Sequence, residues 1–147
     1  MSTSTNIDKF DDLIGEIFTQ LYESFPEPAF LTAAKFVGTD NIYEMNDNIG
    51  MELPSKETNF FMSTIQWLAN EDYIRLGDKG DTYFYNVVLT GKALAALNAK
   101  PNSLLPSLGS QLVQATKKGT KDITRMVIKE TLRIGVELGA KAMGILD

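Results

Sequence analysis

The chain has 147 residues and a mass of 16.3 kDa, with 44% hydrophobic and 22% charged residues. This composition is typical of one globular domain, or of a small domain with an appendage, and excludes wholesale disorder. The sequence contains no cysteine and no histidine, which excludes disulfides, zinc sites built on either residue and catalytic triads that use them. No apolar run approaches the ~20 residues of a membrane-spanning helix. Because the N-terminal residues also lack the pattern of a secretory signal, we expect a cytoplasmic protein.

Charge is distributed unevenly along the chain, whose formal net charge is −5. Residues 1–100 contain 7 basic and 15 acidic side chains, whereas residues 101–147 contain 7 basic and 4 acidic ones. The acidic part repels nucleic-acid phosphates at long range, because phosphate binding depends on lysine and arginine. The basic part is able either to fold back on the acidic part or to dock on a neighbouring copy.

The first predicted element is an amphipathic helix that begins at Ile7 and ends before Pro26. Its apolar residues recur at three- and four-residue steps: Ile7, Phe10, Ile14, Ile17, Phe18, Leu21 and Phe25. A second, short helix is predicted over residues 29–37, with Gly38 as its C-cap. Residues 39–54 are predicted to be a connection. Their acidic residues lack the alternating ligand pattern of a calcium-binding EF-hand loop.

The most regular pattern begins at Ser55, a good N-cap, and predicts a helix that continues to about Asn70. Its apolar residues include Phe61, Ile65 and Leu68 on one face. After it we predict, in chain order, a strand over 73–76, a turn over 77–81, a strand over 83–89 and a helix over 91–98. The two strands are expected to pair as a hairpin that covers a core of three helices.

Two segments of this pattern resemble winged helix-turn-helix proteins. The segment TIQWLANEDYIRL is similar to the end of a recognition helix that enters a wing, and VVLTGKALAAL resembles the signature that closes the wing in regulators of the MarR and PadR type. The resemblance covers about residues 7–98 and extends to bacterial winged-helix proteins with a glycine-rich C-terminal helix. It departs at Asp72 and Ala93, where such proteins often have glycine; aspartate tolerates unusual backbone angles better than most residues, so we expect the turn to survive. The resemblance implies an α+β, mostly α fold, with a winged helix-turn-helix domain followed by C-terminal amphipathic helices.

In a DNA-binding member of such a family, the helix over residues 55–70 would lie in the major groove. The resemblance then implies DNA contacts from one polar stripe of this helix and from two lysines: Lys56, Asn59, Ser63, Gln66, Asn70 and Lys79. Asparagine and glutamine can form bidentate hydrogen bonds with adenine. The charge argues against DNA, because about half or more of protein–DNA hydrogen bonds go to the backbone and Lys56 is the only basic residue of the helix. Winged helices also serve as protein-docking modules, so both partners stay open.

The remaining sequence predicts a linker over residues 101–107, a short helix over 108–118 and a longer helix from Thr120 to about Leu146. The longer helix has a wide apolar arc, which we expect to pack against another surface. The arc includes Ile123, Val127, Ile134, Leu138, Ala142 and Ile145. Gly135 and Gly139, four residues apart, permit close approach of another helix. The candidate partners are the chain's own first helix, the same helix in a second copy, which we favour, and a membrane surface.

These observations predict a winged helix-turn-helix domain over residues 1–100, a linker over 101–107 and a helical oligomerisation segment over 108–147. The predicted function is that of a winged-helix regulatory protein that self-associates through its last helix, with DNA as a candidate partner that the acidic surface disfavours. The alternative is a non-catalytic adaptor for a protein partner, with an oligomerising or membrane-surface tail. Since the sequence has no glycine-rich phosphate loop and no convincing carboxylate pair, we expect no enzymatic activity, catalytic residue, metal or cofactor.

Overall fold

The computed structural model describes residues 5–144, and its architecture is α+β and mostly α-helical, as predicted. The helices are α1 (Asn6–Ser24), α2 (Ala33–Val37), α3 (Lys56–Asn70), α4 (Gly91–Asn98), α5 (Leu108–Lys118) and α6 (Lys121–Ala142). The strands are β1 (Ala29–Thr32), β2 (Tyr43–Asn46), β3 (Met51–Pro54), β4 (Ile74–Arg75) and β5 (Tyr83–Leu89), and a 3₁₀ turn spans Thr39–Asn41. Within residues 5–144, no helix combines the length and the apolar composition needed to cross a bilayer.

Polar caps determine where most of the helices begin. The Thr5 and Asp8 side chains form a capping box at the start of α1. The Ser55 hydroxyl accepts a hydrogen bond from the Thr58 amide at 3.0 Å, and the Thr90 hydroxyl accepts one from the Ala93 amide at 3.2 Å. The boundaries of α3 and α4 therefore match the prediction closely, because a cap acts within the first turn.

The predicted hairpin of residues 73–76 and 83–89 is confirmed, and it belongs to a three-stranded antiparallel sheet with the strand order β1–β5–β4. Strand β1 comes from residues that were predicted to be helical, and in it Ala29 pairs with Val87 and Leu31 with Phe84. The helix predicted over 29–37 is thus wrong in its first half. Residues 29–32 pair with the edge of β5 that β4 leaves free. The Thr32 side chain then caps the short α2.

Residues 39–54, predicted to be a connection, contain a second antiparallel hairpin. Tyr43 pairs with Pro54 and Asn46 with Met51 across β2 and β3. Gly50 adopts a φ of +67° in the turn between them. Both faces of this hairpin mix apolar and acidic side chains, so the sequence lacks the alternation that marks a half-buried strand.

One hydrophobic core joins the first hundred residues to the C-terminal helices. Ile14 and Phe61 belong to the same buried cluster as Leu112, Val127 and Ile128. Ion pairs reinforce the contact between α6 and α1: the Arg125 guanidinium donates to both carboxylate oxygens of Asp12, at 2.8 and 2.9 Å, and Lys129 pairs with Asp11. A third pair, Lys117 with Glu23, joins α5 to α1. The basic part of the chain therefore folds back on its own acidic part.

The structure assigns the apolar arc of α6 largely to this internal packing. Val127 is 2% exposed and Ile134 packs partly buried against the core. The interpretation of Val127 as a contact between copies is corrected, because a side chain enclosed in its own core cannot reach a partner. Leu138 is half-buried, Ile123 and Ala142 are exposed, and Ile145 lies outside the described residues. The helix ends at Ala142 rather than near Leu146.

Candidate docking surface beside helix α3

Helix α3 presents its predicted polar stripe to solvent. Asn59, Ser63 and Asn70 are exposed and Gln66 is half-buried, because the opposite face of the helix is enclosed in the core. The Gln66 side-chain amide donates to the Asn70 side-chain oxygen at 3.0 Å, so these two amides partly satisfy each other. The structure thus brings four of the six predicted DNA-contacting residues together on one stripe.

The two predicted lysines are exposed at different places. Lys56 is the first residue of α3. Lys79 lies in the turn between β4 and β5, where its backbone forms a bridge with Phe84. Each lysine is therefore accessible to a phosphate, but each stands on its own element.

An apolar groove runs beside the polar stripe, between the N-terminal half of α1 and α3. One part of this α1–α3 groove is a cavity of about 430 Å³ lined by Asn6, Ile7, Phe10, Phe60, Ser63, Thr64 and Trp67. A second cavity of about 500 Å³ shares Asn6 and Phe60 with the first and is also lined by Lys9, Leu13, Phe36, Val37, Lys56 and Glu57. Ile7 is 61% exposed and Trp67 is 39% exposed, which is a high fraction for such large apolar side chains.

Aromatic contacts hold the walls of this groove. The Phe10 and Trp67 rings meet edge to face with centroids 5.1 Å apart, and Trp67 stacks on Tyr73 at 6.1 Å. Such pairs add roughly 0.5–1.5 kcal/mol beyond the area that they bury. The helical step of 100° per residue places Phe60 and Trp67 on one shoulder of α3, beside the polar stripe. In this wall of the groove, Trp67 therefore packs against Phe10 on one side and Tyr73 on the other.

The hairpin of β2 and β3, hereafter the β2–β3 arm, comes immediately before α3. Hydrogen bonds secure its base: the Ser55 amide donates to the Ile42 carbonyl at 2.9 Å, and the Thr58 hydroxyl donates to the same carbonyl at 2.8 Å. The arm exposes four large apolar side chains, Tyr43, Met45, Ile49 and Met51, each at least half exposed. The arm was not predicted from the sequence, in which its local signal is Gly50, a residue that marks a tight turn between two short segments.

The groove and the arm differ in charge. Lys9, Lys56 and Glu57 line the groove at one end, and in the described part of the chain neither lysine forms a salt bridge. The arm carries the three acidic residues Glu44, Asp47 and Glu52. The lining of the groove is thus slightly basic, whereas the arm is strongly acidic.

The perturbed carboxyl groups of α1 lie away from the groove, on the side that packs against α6. The Thr5 amide, which donates a hydrogen bond to Asp8, lowers the pKa of that carboxyl, and the Arg125 guanidinium lowers it further. Partial desolvation of the Glu16 carboxyl, together with the neighbouring charge of Asp12, raises the pKa of Glu16. No group of three or more acidic side chains that could hold a metal ion occurs among residues 5–144.

No family model, curated protein or solved structure matches this chain. The polar stripe, the α1–α3 groove and the β2–β3 arm are therefore the features from which a function has to be inferred.

Proposed function

We propose that this chain is a non-catalytic interaction module with a winged-helix arrangement, which binds a protein partner through the α1–α3 groove. Apart from β1 and the β2–β3 arm, which lie between α1 and α3 in the chain, the order of helix, short helix, helix, strand, turn and strand supports the winged-helix part of the proposal, since winged helix-turn-helix proteins share it. In this view β4 and β5 form the wing, and α3 takes the position of the recognition helix.

The observation that carries the docking function is the apolar groove on an otherwise acidic molecule. Grooves lined by large apolar and aromatic side chains are typical sites for amphipathic helices and extended peptides. Tryptophan is among the residues that contribute most to the free energy of binding at such interfaces. Exposed Trp67 and Ile7, together with Phe10 and Phe60, provide this kind of surface.

The electrostatics favour a protein over DNA as the partner. The acidic β2–β3 arm leads directly into the N-terminus of α3, and Glu57 lies in the first turn. In a major-groove complex these carboxylates would approach phosphates, whereas Lys56 would be the single cation of the helix. Binding to DNA depends on neutralising phosphates, so this arrangement weakens it.

Site-specific photo-crosslinking in cells tests the proposal. A photoreactive benzoylphenylalanine at Ser63, which lines the groove, is compared with one at Gln114, which is exposed on α5. We expect a defined protein adduct from position 63 and none from position 114. Binding of the purified adduct partner should then weaken by about tenfold or more for Ile7→Asp, because a carboxylate would be desolvated in the contact. Identical adducts at both positions, or none at position 63, would contradict the proposal.

DNA binding is the second candidate, because the stripe of Asn59, Ser63 and Asn70 is exposed and suited to reading bases. Fluorescence anisotropy with mixed duplexes at low salt tests it, with Asn59→Ala as the variant. Salt-dependent binding that is lost in the variant would favour the DNA function. The absence of binding at protein concentrations on the order of tens of micromolar, where even non-specific binders associate, would rule it out.

A further inference from the structure

We propose that the α1–α3 groove receives the β2–β3 arm of a second copy of this chain, so that two copies exchange arms. This inference depends on the proposed function, since it names the partner of the same groove. It moves self-association from α6, where sequence analysis placed it, to the surface around α3.

The arm has the composition of a contact element but makes little contact within its own chain. Met45 is 58% exposed, Ile49 is 56% exposed and Met51 is 54% exposed. Within residues 5–144, strands β2 and β3 pair with each other and with no other strand. A two-stranded hairpin alone is marginally stable, and clustered apolar exposure on a folded protein marks an interaction site. The apolar side chains of the arm are therefore available to pack against a partner.

One face of the arm matches the chemistry of the groove. Residues directly opposite each other in an antiparallel pair project to the same face, and residues two apart along a strand share that face. Met45 pairs with Glu52 and Tyr43 with Pro54, so Tyr43, Met45 and Glu52 share one face. This face offers two large apolar side chains and a carboxylate. The groove offers an apolar wall with Lys9 and Lys56 at one end.

Charge supports the same pairing. The groove is lined by two lysines and Glu57, a net charge of +1, whereas the arm carries three carboxylates and no cation. Attraction between opposite charges speeds encounter and fixes the register of an interface. A hydrophobic contact flanked by these charges would therefore select the arm over a neutral apolar segment.

The position of the arm allows a closed dimer. No residue of β2 or β3 lines either cavity of the groove in the described chain, so its own arm leaves the groove open. The arm ends at Pro54, two residues before Lys56, which lines one end of the groove, so the arm and that end of the groove are neighbours in the chain. The dimer that we propose has a twofold axis near this junction, with each arm in the other copy's groove. Two identical contacts would then form at once and close the assembly.

Sedimentation equilibrium of the full chain tests this dimer with three substitutions at exposed apolar sites. Met45→Glu changes the arm, Ile7→Glu changes the groove, and Val136→Glu is the matched control on α6, where Val136 is 66% exposed. We expect a dimer for the unmodified chain, a dissociation constant at least about tenfold higher for the first two variants, and an unchanged constant for the control. Circular dichroism verifies that each variant is folded.

A charge exchange provides the sharper test. The groove variant Lys9→Glu/Lys56→Glu and the arm variant Glu52→Lys, which changes the carboxylate on the face of Tyr43 and Met45, should each dimerise poorly alone, because like charges would meet at both contacts. In an equal mixture both contacts become favourable, so native mass spectrometry should show a heterodimer in excess of either homodimer. If the mixture fails to restore the dimer, the arm exchange is wrong.

The remaining outcomes separate this inference from the proposed function. A monomeric unmodified chain, or a dimer that Val136→Glu disrupts and Met45→Glu does not, overturns the arm exchange. If that chain still gives an adduct with a different protein from position 63, the docking function stands with another partner. If position 63 gives no adduct at all, both proposals fail.

Discussion

Tyr73 shows how one side chain ties the turn before β4 to three helices. It is 1% exposed, and its hydroxyl donates a hydrogen bond to the Leu132 carbonyl of α6 at 3.1 Å. Its ring stacks on Trp67 of α3, and the Lys92 ammonium of α4 lies 4.2 Å from the ring centroid. Burial, and to a smaller extent the charge of Glu71, raises the pKa of Tyr73.

Close packing on Tyr73 explains why Gly135 is glycine. A Cβ at this position would lie 2.5 Å from the Tyr73 ring, whereas at Gly139 the nearest atom is the Lys92 Nζ, 3.7 Å away. We expect Gly135→Ala to lower the free energy of unfolding by roughly 1–3 kcal/mol through overpacking. Gly139→Ala should be neutral or stabilise by up to about 1 kcal/mol through helix propensity. Urea denaturation measures both, and equal effects would contradict the assignment.

A pH-dependent contribution to stability is expected from Asp8. Its folded-state pKa is lowered below the ordinary value of 3.8, first by the Thr5 amide and further by Arg125. The folded state therefore favours the ionised carboxyl, and the stability that it contributes is present above pH 3.8 and lost as the pH falls through the folded-state pKa. Asp8→Asn should thus unfold at lower urea concentration at pH 7, with the difference disappearing at strongly acidic pH. A difference that stays constant with pH would show that Asp8 acts by packing alone.

At the scale of elements, the junction between the arm and α3 depends on Ser55. As the N-cap of α3, its hydroxyl accepts a hydrogen bond from the Thr58 amide. The same hydroxyl donates a hydrogen bond to the Asn41 carbonyl at the base of the arm. Ser55 is only 2% exposed, so water cannot easily replace these hydrogen bonds. One residue therefore determines both where α3 begins and how the arm is attached.

Ser55→Ala tests both roles, because it removes the one hydroxyl that performs them. We expect a loss of about 0.5–2 kcal/mol in the free energy of unfolding, the usual cost of removing a serine cap. We also expect faster amide hydrogen exchange across residues 43–54, because the base of the arm loses a bond. Thr90→Ala, which removes the cap of α4, is the control: it should cost similar stability without altering exchange in the arm.

Most of the helices and strands that depend on interactions between residues close in the sequence were predicted correctly, whereas the strand that depends on distant residues was not. The boundaries of α3, the β4–β5 hairpin and the polar stripe of Asn59 and Ser63 follow from caps and periodicity, and the structure confirms those elements. Asp72 adopts a φ of +66°, so the turn does survive without the glycine of the resembling proteins. Strand β1 was missed because its stability comes from pairing with β5, more than fifty residues later in the chain.

At the scale of the whole molecule, α5 and α6 complete the core instead of extending from it. Leu112, Val127 and Ile128 are buried together with Ile14 and Phe61. Gly15 allows the close approach of α1 and α6, since a Cβ there would lie 2.4 Å from the Thr124 methyl group. Much of the apolar arc of α6, which suggested a separate partner, therefore packs against α1 of the same chain.

A chain truncated after Lys100 should lose cooperative folding. Removing α5 and α6 would expose the core face of α1, and each large apolar side chain that loses its cover costs roughly 1.5–3 kcal/mol. Several such losses are comparable with the total stability of a small domain, about 5–15 kcal/mol. Thermal denaturation followed by circular dichroism measures this. A cooperative transition near that of the full chain would mean that residues 1–100 fold independently.

The sequence by itself determined the starts of the helices other than α2, the mostly α class, the β4–β5 hairpin and the exposed stripe of α3, because caps, turns and periodicity act within a few residues. Only the tertiary structure decided that α6 packs on α1, that residues 29–32 form a strand and that an apolar groove opens beside α3. These features depend on contacts between residues far apart in the chain, whose free energy appears only when both partners are in place.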